Sequence, residues 1–304
     1  MQMNTGRHIR MSNFVNKHIK WVFSLPVLIF MAVMVVIPIV MTLVFSLCDW
    51  NLLMGTGMKL NWGKNYLDVL GSREFWQSLA ITFYYTGLAT VAELLLGVAI
   101  ALILNREFIG KNAVKTIVLL PYMMAPVAVG LMWMLFYEPS SGLINYIFSV
   151  VGLPRSSFVS AKETVIPAIA VVETWQMTPM VVIVCLAGLS SLPADPMEAA
   201  RVDGATPVQA FFKITLPLLT QTLFSIGLLR FIDIFKSFDL IYALTKGGPA
   251  NASRTLNLYA YETAFSYYKF GTSSTMLMIL FVIVMILSIV VMKIQRKLVE
   301  YYGG

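Results

Sequence analysis

Six stretches of this chain, near residues 21–48, 76–104, 114–136, 165–187, 217–236 and 271–292, are apolar on every side. Each is long enough to cross a hydrocarbon core, which takes about 20 residues of helix. A helix facing water keeps one polar face, and a chain crossing lipid must satisfy its backbone internally. The fold class that follows is an all-α membrane protein with six transmembrane helices. The charged share of 12%, about half that of a soluble domain, agrees. Ahead of the first stretch lies basic RHIRMSNFVNKHIK, as in a secretory signal. Its length, and the bulky, polar FSLCDWN after it, predict an uncleaved first span instead. The chain then divides into an arm (1–20), a six-helix unit (21–292) and a tail (293–304).

Orientation follows from the connections. With the N-terminus inside, the inner segments hold twelve Lys and Arg, among them Arg7, Arg10, Lys17, Lys20, Arg106, Lys111, Lys115, Arg201 and Lys213. The outer segments hold eight, so both termini are expected to be cytoplasmic. The net charge of +7 is therefore read as topology. Nucleic-acid binding would need a basic, water-facing segment with interleaved aromatics, and the sequence has none. Cys48 and Cys185 fall on opposite sides of the membrane, which argues against a disulfide. His8 and His18, in the basic arm, read as two further weak bases rather than metal ligands.

No G-x-x-x-x-G-K-[ST] phosphate loop is present, and no nucleophile, base or metal-ligand constellation is visible. The chain is therefore not expected to be an enzyme or to carry a cofactor. If its work is powered by ATP, another subunit hydrolyses it.

One inter-span link is unusually long and shaped. EAARVDGATPVQAFFKITLP (198–217) reads as two capped helices: Asp195, Pro196 and Glu198 start the first, and Gly204 ends it. Thr206, Pro207 and Gln209 start the second, which Pro217 is expected to close as the fifth span begins. Helices so short need a surface to pack on, and Met197, Phe211 and Phe212 could supply it. The link is either an elbow lying on headgroups or a docking site for a soluble partner.

Glu198-Ala199-Ala200, with Gly204 and then Ile214, Leu216 and Pro217, resembles the signature loop of permease subunits in binding-protein-dependent ABC importers. LLPYMMAP (119–126), ETWQMTP (173–179), LTKGGP (244–249) and YAYETAF (259–265) are similar to its carbohydrate branch, the maltose- and glycerol-phosphate-type permeases. The resemblance covers spans three to six. It implies a type I importer permease core of six spans, without the extra N-terminal spans of some members. The implied location is a bacterial inner membrane. The loop 191–216 would hold the coupling helix, with Glu198, Ala199, Ala200, Arg201, Asp203 and Gly204 in the groove of a cytoplasmic ATPase. Implied partners are a second, homologous permease, two ATP-binding cassette subunits that hold ATP and Mg, an extracytoplasmic sugar-binding protein and the bilayer.

The resemblance also implies a substrate path along Gln176, Met177, Met180, Arg230, Asp233, Ile234 and Ser237. The maltose-type pattern has neutral amides or aromatics at several of these places. Charges and methionines here leave room for an acidic or decorated sugar, and the substrate is expected to be an oligosaccharide. On spacing alone, Arg230 and Asp233 share one helix face and either neutralise each other or meet substrate. Intramembrane Glu93, Glu173 and Asp233 also admit a rival reading, a stand-alone secondary transporter with a carboxylate relay.

Overall fold

The computed structural model describes the backbone over residues 5–302 and side chains over 21–297, residues 22 and 56 excepted. The side chains of the basic arm, His8 and His18 included, lie outside the described residues.

The chain opens with α1 (Thr5–Ser46), whose apolar stretch Phe23–Ser46 is largely exposed, with Ser46 buried at its end. A hairpin of β1 (Cys48–Asn51) and β2 (Thr56–Leu60) follows, antiparallel, with Cys48 opposite Leu60. The apolar patterning gave no sign of it. Asn65, at the start of α2 (Lys64–Gly71), donates to the Ser46 and Cys48 carbonyls at 3.1 and 2.8 Å and ties the hairpin to the end of α1.

The second span is α3 (Arg73–Leu104), capped by the Ser72 hydroxyl, which accepts from the Phe75 amide. It packs most closely on α7 (Val165–Ser190), the fourth span. The two backbones come together at Gly97, where a Cβ would overlap the Val181 side chain. Small residues of this kind let membrane helices approach where no hydrophobic drive is available.

Between them lies a correction to the sequence reading. The third span is not one straight helix over 114–136. It is α4 (Lys111–Leu119) with a 3₁₀ turn (Leu120–Met123), then α5 (Pro126–Phe136), bent by 99° at the break. Met124 and Ala125 are extended, as residues ahead of Pro126 are pushed to be. Counting this pair as one, the described residues hold six helices long and apolar enough to span; without it they hold five. The connection after α5 carries α6 (Leu143–Val150), with Leu143, Ile147 and Val150 exposed, as an interfacial helix would have them. Asn145 clamps its ends by donating to the Pro139 and Ser156 carbonyls and accepting from the Ser156 amide.

After α7 come α8 (Asp195–Val202) and α9 (Pro207–Ala210). A π-helical turn (Phe211–Thr215) then leads directly into α10 (Leu216–Phe235). Pro217 therefore does not separate two helices; 207–235 is continuous. Proline cannot donate to the carbonyl four residues back. The Leu216 amide reaches instead to the Phe211 carbonyl, and the wider turn absorbs the missing bond. The chain finishes with α11 (Asp239–Thr245), α12 (Leu256–Phe265) and α13 (Phe270–Tyr302), the last running past the expected end of its span. Three buried clusters result. One joins α3, α5, α7 and α11 around Tyr85, Ile169 and Leu240. A second joins α3, α10, α12 and α13 around Phe75, Phe235 and Met276. The third joins α3, α7 and α10 around Leu104, Val182 and Ile226.

Candidate functional site

At the centre, α3, α7 and α10 each deliver a charged side chain to one point. Arg230, on α10, donates from Nε to Glu93 Oε2 at 2.6 Å and from Nη2 to Glu93 Oε1 at 3.0 Å. The same Nη2 donates to Glu173 Oε1 at 2.8 Å, and the Tyr85 hydroxyl donates to Glu173 Oε2 at 3.1 Å. Glu93 and Arg230 are 0% and 2% exposed. The planar guanidinium suits this arrangement, because its fork can hold two carboxylates at once. Asp233 is a third, looser partner, 3.7 Å from Nη1, and it also pairs with Lys236 at 3.0 Å.

Sequence reasoning gave Glu93 a place only in the rival carboxylate relay, and set Arg230 against Asp233 or a substrate. The structure makes Glu93 and Glu173 the main partners of Arg230 and leaves Asp233 at the edge. A signal was present: charges inside spans are costly and need mates, and three intramembrane carboxylates had one intramembrane arginine between them. Spacing along a single helix could not reveal partners on two others.

Above this network lies a cavity of about 350 Å³, lined by Tyr122, Pro126, Glu173, Met177, Met180, Arg230, Asp233, Lys236, Ser237, Phe238, Asp239 and Leu240. It therefore gathers Met177, Met180, Arg230, Asp233 and Ser237 of the expected path. Gln176 and Ile234 turn away from it, both fully or almost fully buried. Gln176 donates to the Met124 carbonyl at 2.8 Å. It thereby satisfies a backbone group at the break of the third span, as buried irregular backbone in a membrane requires. Ile234 packs in the cluster around Tyr85 and Leu240.

The second feature is the loop between α7 and α10. Asp195 is not the cap of α8. It is the first helical residue, and the Ala194 carbonyl accepts from the amides of Met197 and Glu198. Asp195 and Glu198 instead place negative charge in the first turn, where the helix dipole favours it. The exit is as expected. Gly204 has φ of +77°, and the Ala205 and Gly204 amides return to the Ala200 and Arg201 carbonyls at 2.9 and 3.2 Å. The second cap is a full capping box: the Gln209 amide donates to Thr206 Oγ1, and Gln209 Oε1 accepts from the Thr206 amide.

Met197 and Phe211 line a groove of about 630 Å³ between the loop and the ends of α3 and α7, whereas Phe212 is exposed. Thr215 Oγ1 reaches Met197 Sδ at 3.6 Å and tethers α8 to the π turn. Ala200 is buried, while Glu198, Ala199, Arg201, Asp203 and Gly204 remain exposed. The loop is thus held on one face by the bundle and presents the other outward.

Residues 93–300 match the family described as binding-protein-dependent transport system inner membrane component. The chain is 35% identical over 283 residues to the probable ABC transporter permease protein y4oQ of Sinorhizobium fredii, covering 93% of this chain and 89% of that protein. It is 37% identical over 236 residues to the trehalose/maltose transport system permease protein MalF of Thermococcus litoralis, covering 77% and 79%. Among solved structures it resembles a chain of a bacterial ABC transporter involved in the import of the acidic polysaccharide alginate. The TM-score is 0.81 at 22% identity, over 95% of this chain and 99% of that one. At that identity the likeness speaks for the fold, a type I importer permease core.

Proposed function

This chain belongs to the family of binding-protein-dependent transport system inner membrane components, and from that we propose that it is the permease subunit of an ATP-driven carbohydrate importer. Its cargo is an oligosaccharide delivered by an extracytoplasmic binding protein. A second, homologous permease completes the pore, and two cytoplasmic ATPase subunits hold ATP and magnesium. The observation that carries this reading is the loop 191–216. Its fold holds one face to the bundle and leaves Glu198, Arg201 and Asp203 free to meet a charged partner. The trehalose and maltose named for the relative at 37% identity support the substrate class.

The mechanism follows from rigidity. Closure of the ATPases presses on α8, and the continuous helix 207–235 carries the push to Arg230. There the guanidinium binds α10 to α3 and α7, so the three helices move as one body. Alternating access requires that contacts differ between the inward and outward states. The broken third span, packed against α7 and α11, is the segment fitted to change between them. The carboxylates that a stand-alone secondary transporter would need are engaged by Arg230 and Lys236, and no observation favours that reading.

The test is purification of the chain from its own membranes in mild detergent. A P-loop ATPase and a second six-span permease are expected to come with it. Glu198→Arg or Gly204→Asp is expected to lose the ATPase and transport while keeping the permease pair. A chain that purifies alone, or mutants that transport normally, would overturn the reading.

A further inference from the structure

We propose that the cavity between α7, α10 and α11 admits uncharged glycans and rejects acidic ones, with Asp233 and Asp239 setting the discrimination. This rests on the carbohydrate reading above and narrows its substrate class. The sequence left room for an acidic or decorated sugar, with Arg230 either neutralised by Asp233 or meeting substrate. In the structure Arg230 and Lys236 are both engaged by carboxylates of the chain. Two of the guanidinium nitrogens of Arg230 are taken by Glu93 and Glu173, and the third faces Asp233. Lys236 pairs with Asp233.

With Glu93 directly behind the wall, the carboxylates at this point are Glu93, Glu173, Asp233 and Asp239, against the cations Arg230 and Lys236 alone. Asp239 has no ion-pair partner among the described residues. The formal balance is therefore negative: Arg230 is held by Glu93 and Glu173, and Lys236, exposed at the rim, is paired with Asp233. A uronate carboxylate entering the cavity meets the like charges of Asp233 and Asp239, and must compete with Asp233 for Lys236, the one accessible cation of the lining, which is how an interface disfavours a wrong ligand.

A neutral saccharide meets complementary chemistry in the same space. Its hydroxyls donate to ionised carboxylates, among the stronger hydrogen bonds available. Its less polar ring faces suit the aromatic rings of Tyr122 and Phe238 and the adaptable walls of Met177 and Met180.

The permease pair with its ATPases, in lipid nanodiscs and without binding protein, isolates this selectivity from that of the binding protein. Saturation-transfer NMR would compare trehalose, maltotriose and cellotriose with trigalacturonate and trimannuronate. At least one neutral sugar is expected to show contact, with the triuronates about tenfold weaker or more. Asp239→Asn and Asp233→Asn are each expected to narrow that ratio, as is raised salt. Triuronates binding as well as the neutral sugars would overturn the inference and leave the carbohydrate reading standing. A ratio unmoved by both substitutions would overturn the assignment to these residues. Contact from no sugar of either class would overturn the carbohydrate reading itself.

Discussion

Arg230 is the residue on which the centre of this molecule depends. It compensates two carboxylates on two other helices, at 2.6–3.0 Å, away from water. Breaking a buried charge set by removing one member costs about 3–5 kcal/mol, because the remaining charges lose their mate. Arg230→Met is therefore expected to lower thermal stability sharply, and Glu93→Gln less, since the amide oxygen still accepts one bond. Arg230→Lys is expected to resemble Arg230→Met more than wild type, because an ammonium cannot span both acids as the fork does. The buried thiols of Cys48 and Cys185 give the readout: the temperature at which they react with a fluorogenic maleimide. Equal melting of wild type and Arg230→Met would refute the role. Here the sequence showed the ingredients without the arrangement. Glu93 was visibly expensive where it stood, yet its partner lies 137 positions away, beyond any helical spacing.

Among the elements, the loop between α7 and α10 was the most legible, because capping is local chemistry. Thr206, Pro207 and Gln209 form the box their spacing announced, and Gly204 takes the left-handed exit. Asp195 failed as a cap because Ala194 already accepts the first helical bonds, a one-residue shift that the letters cannot decide. Thr206→Ala is expected to cost about 0.5–2 kcal/mol and to weaken ATPase retention in co-purification without removing the chain from the membrane. Gly204→Ala meets no neighbour within 4 Å, so its cost is conformational alone, about 1–2 kcal/mol. Gly204→Asn, better suited to that backbone, is expected to retain more ATPase than Gly204→Ala, and the reverse order would refute the argument. The break in the third span was half legible. Pro121 and Pro126 lie at it, but neither its 99° bend nor the Gln176 side chain that meets the freed Met124 carbonyl from another helix follows from local sequence.

For the whole molecule, the apolar runs specified the number and order of the spans, while the β hairpin escaped, since two strands of four and five residues of mixed polarity carry no strong period. The inward orientation of both termini is a prediction from lysine and arginine placement, and exposed side chains make it testable. Trp62 and Val202 are 88% and 87% exposed and lie on opposite sides of the expected bilayer. In a background with Cys48 and Cys185 replaced by serine, Trp62→Cys should react with an impermeant maleimide on intact spheroplasts. Val202→Cys should react only after permeabilisation, and the reverse pattern would invert the topology.

The central charge network also bears on how the chain is made. Glu93 and Glu173 lie ahead of Arg230 in the order of synthesis. Each acid placed mid-membrane without a mate costs about 2.5–3.5 kcal/mol on insertion scales. Until α10 arrives, α3 and α7 are poor residents of lipid, and a chain stalled or truncated before residue 230 carries two uncompensated acids. Such a fragment is expected to insert poorly and to be degraded faster than the full chain, which a pulse-chase of chains truncated before and after residue 230 would read. On that expectation the arginine that fastens the finished bundle would also mark its completion.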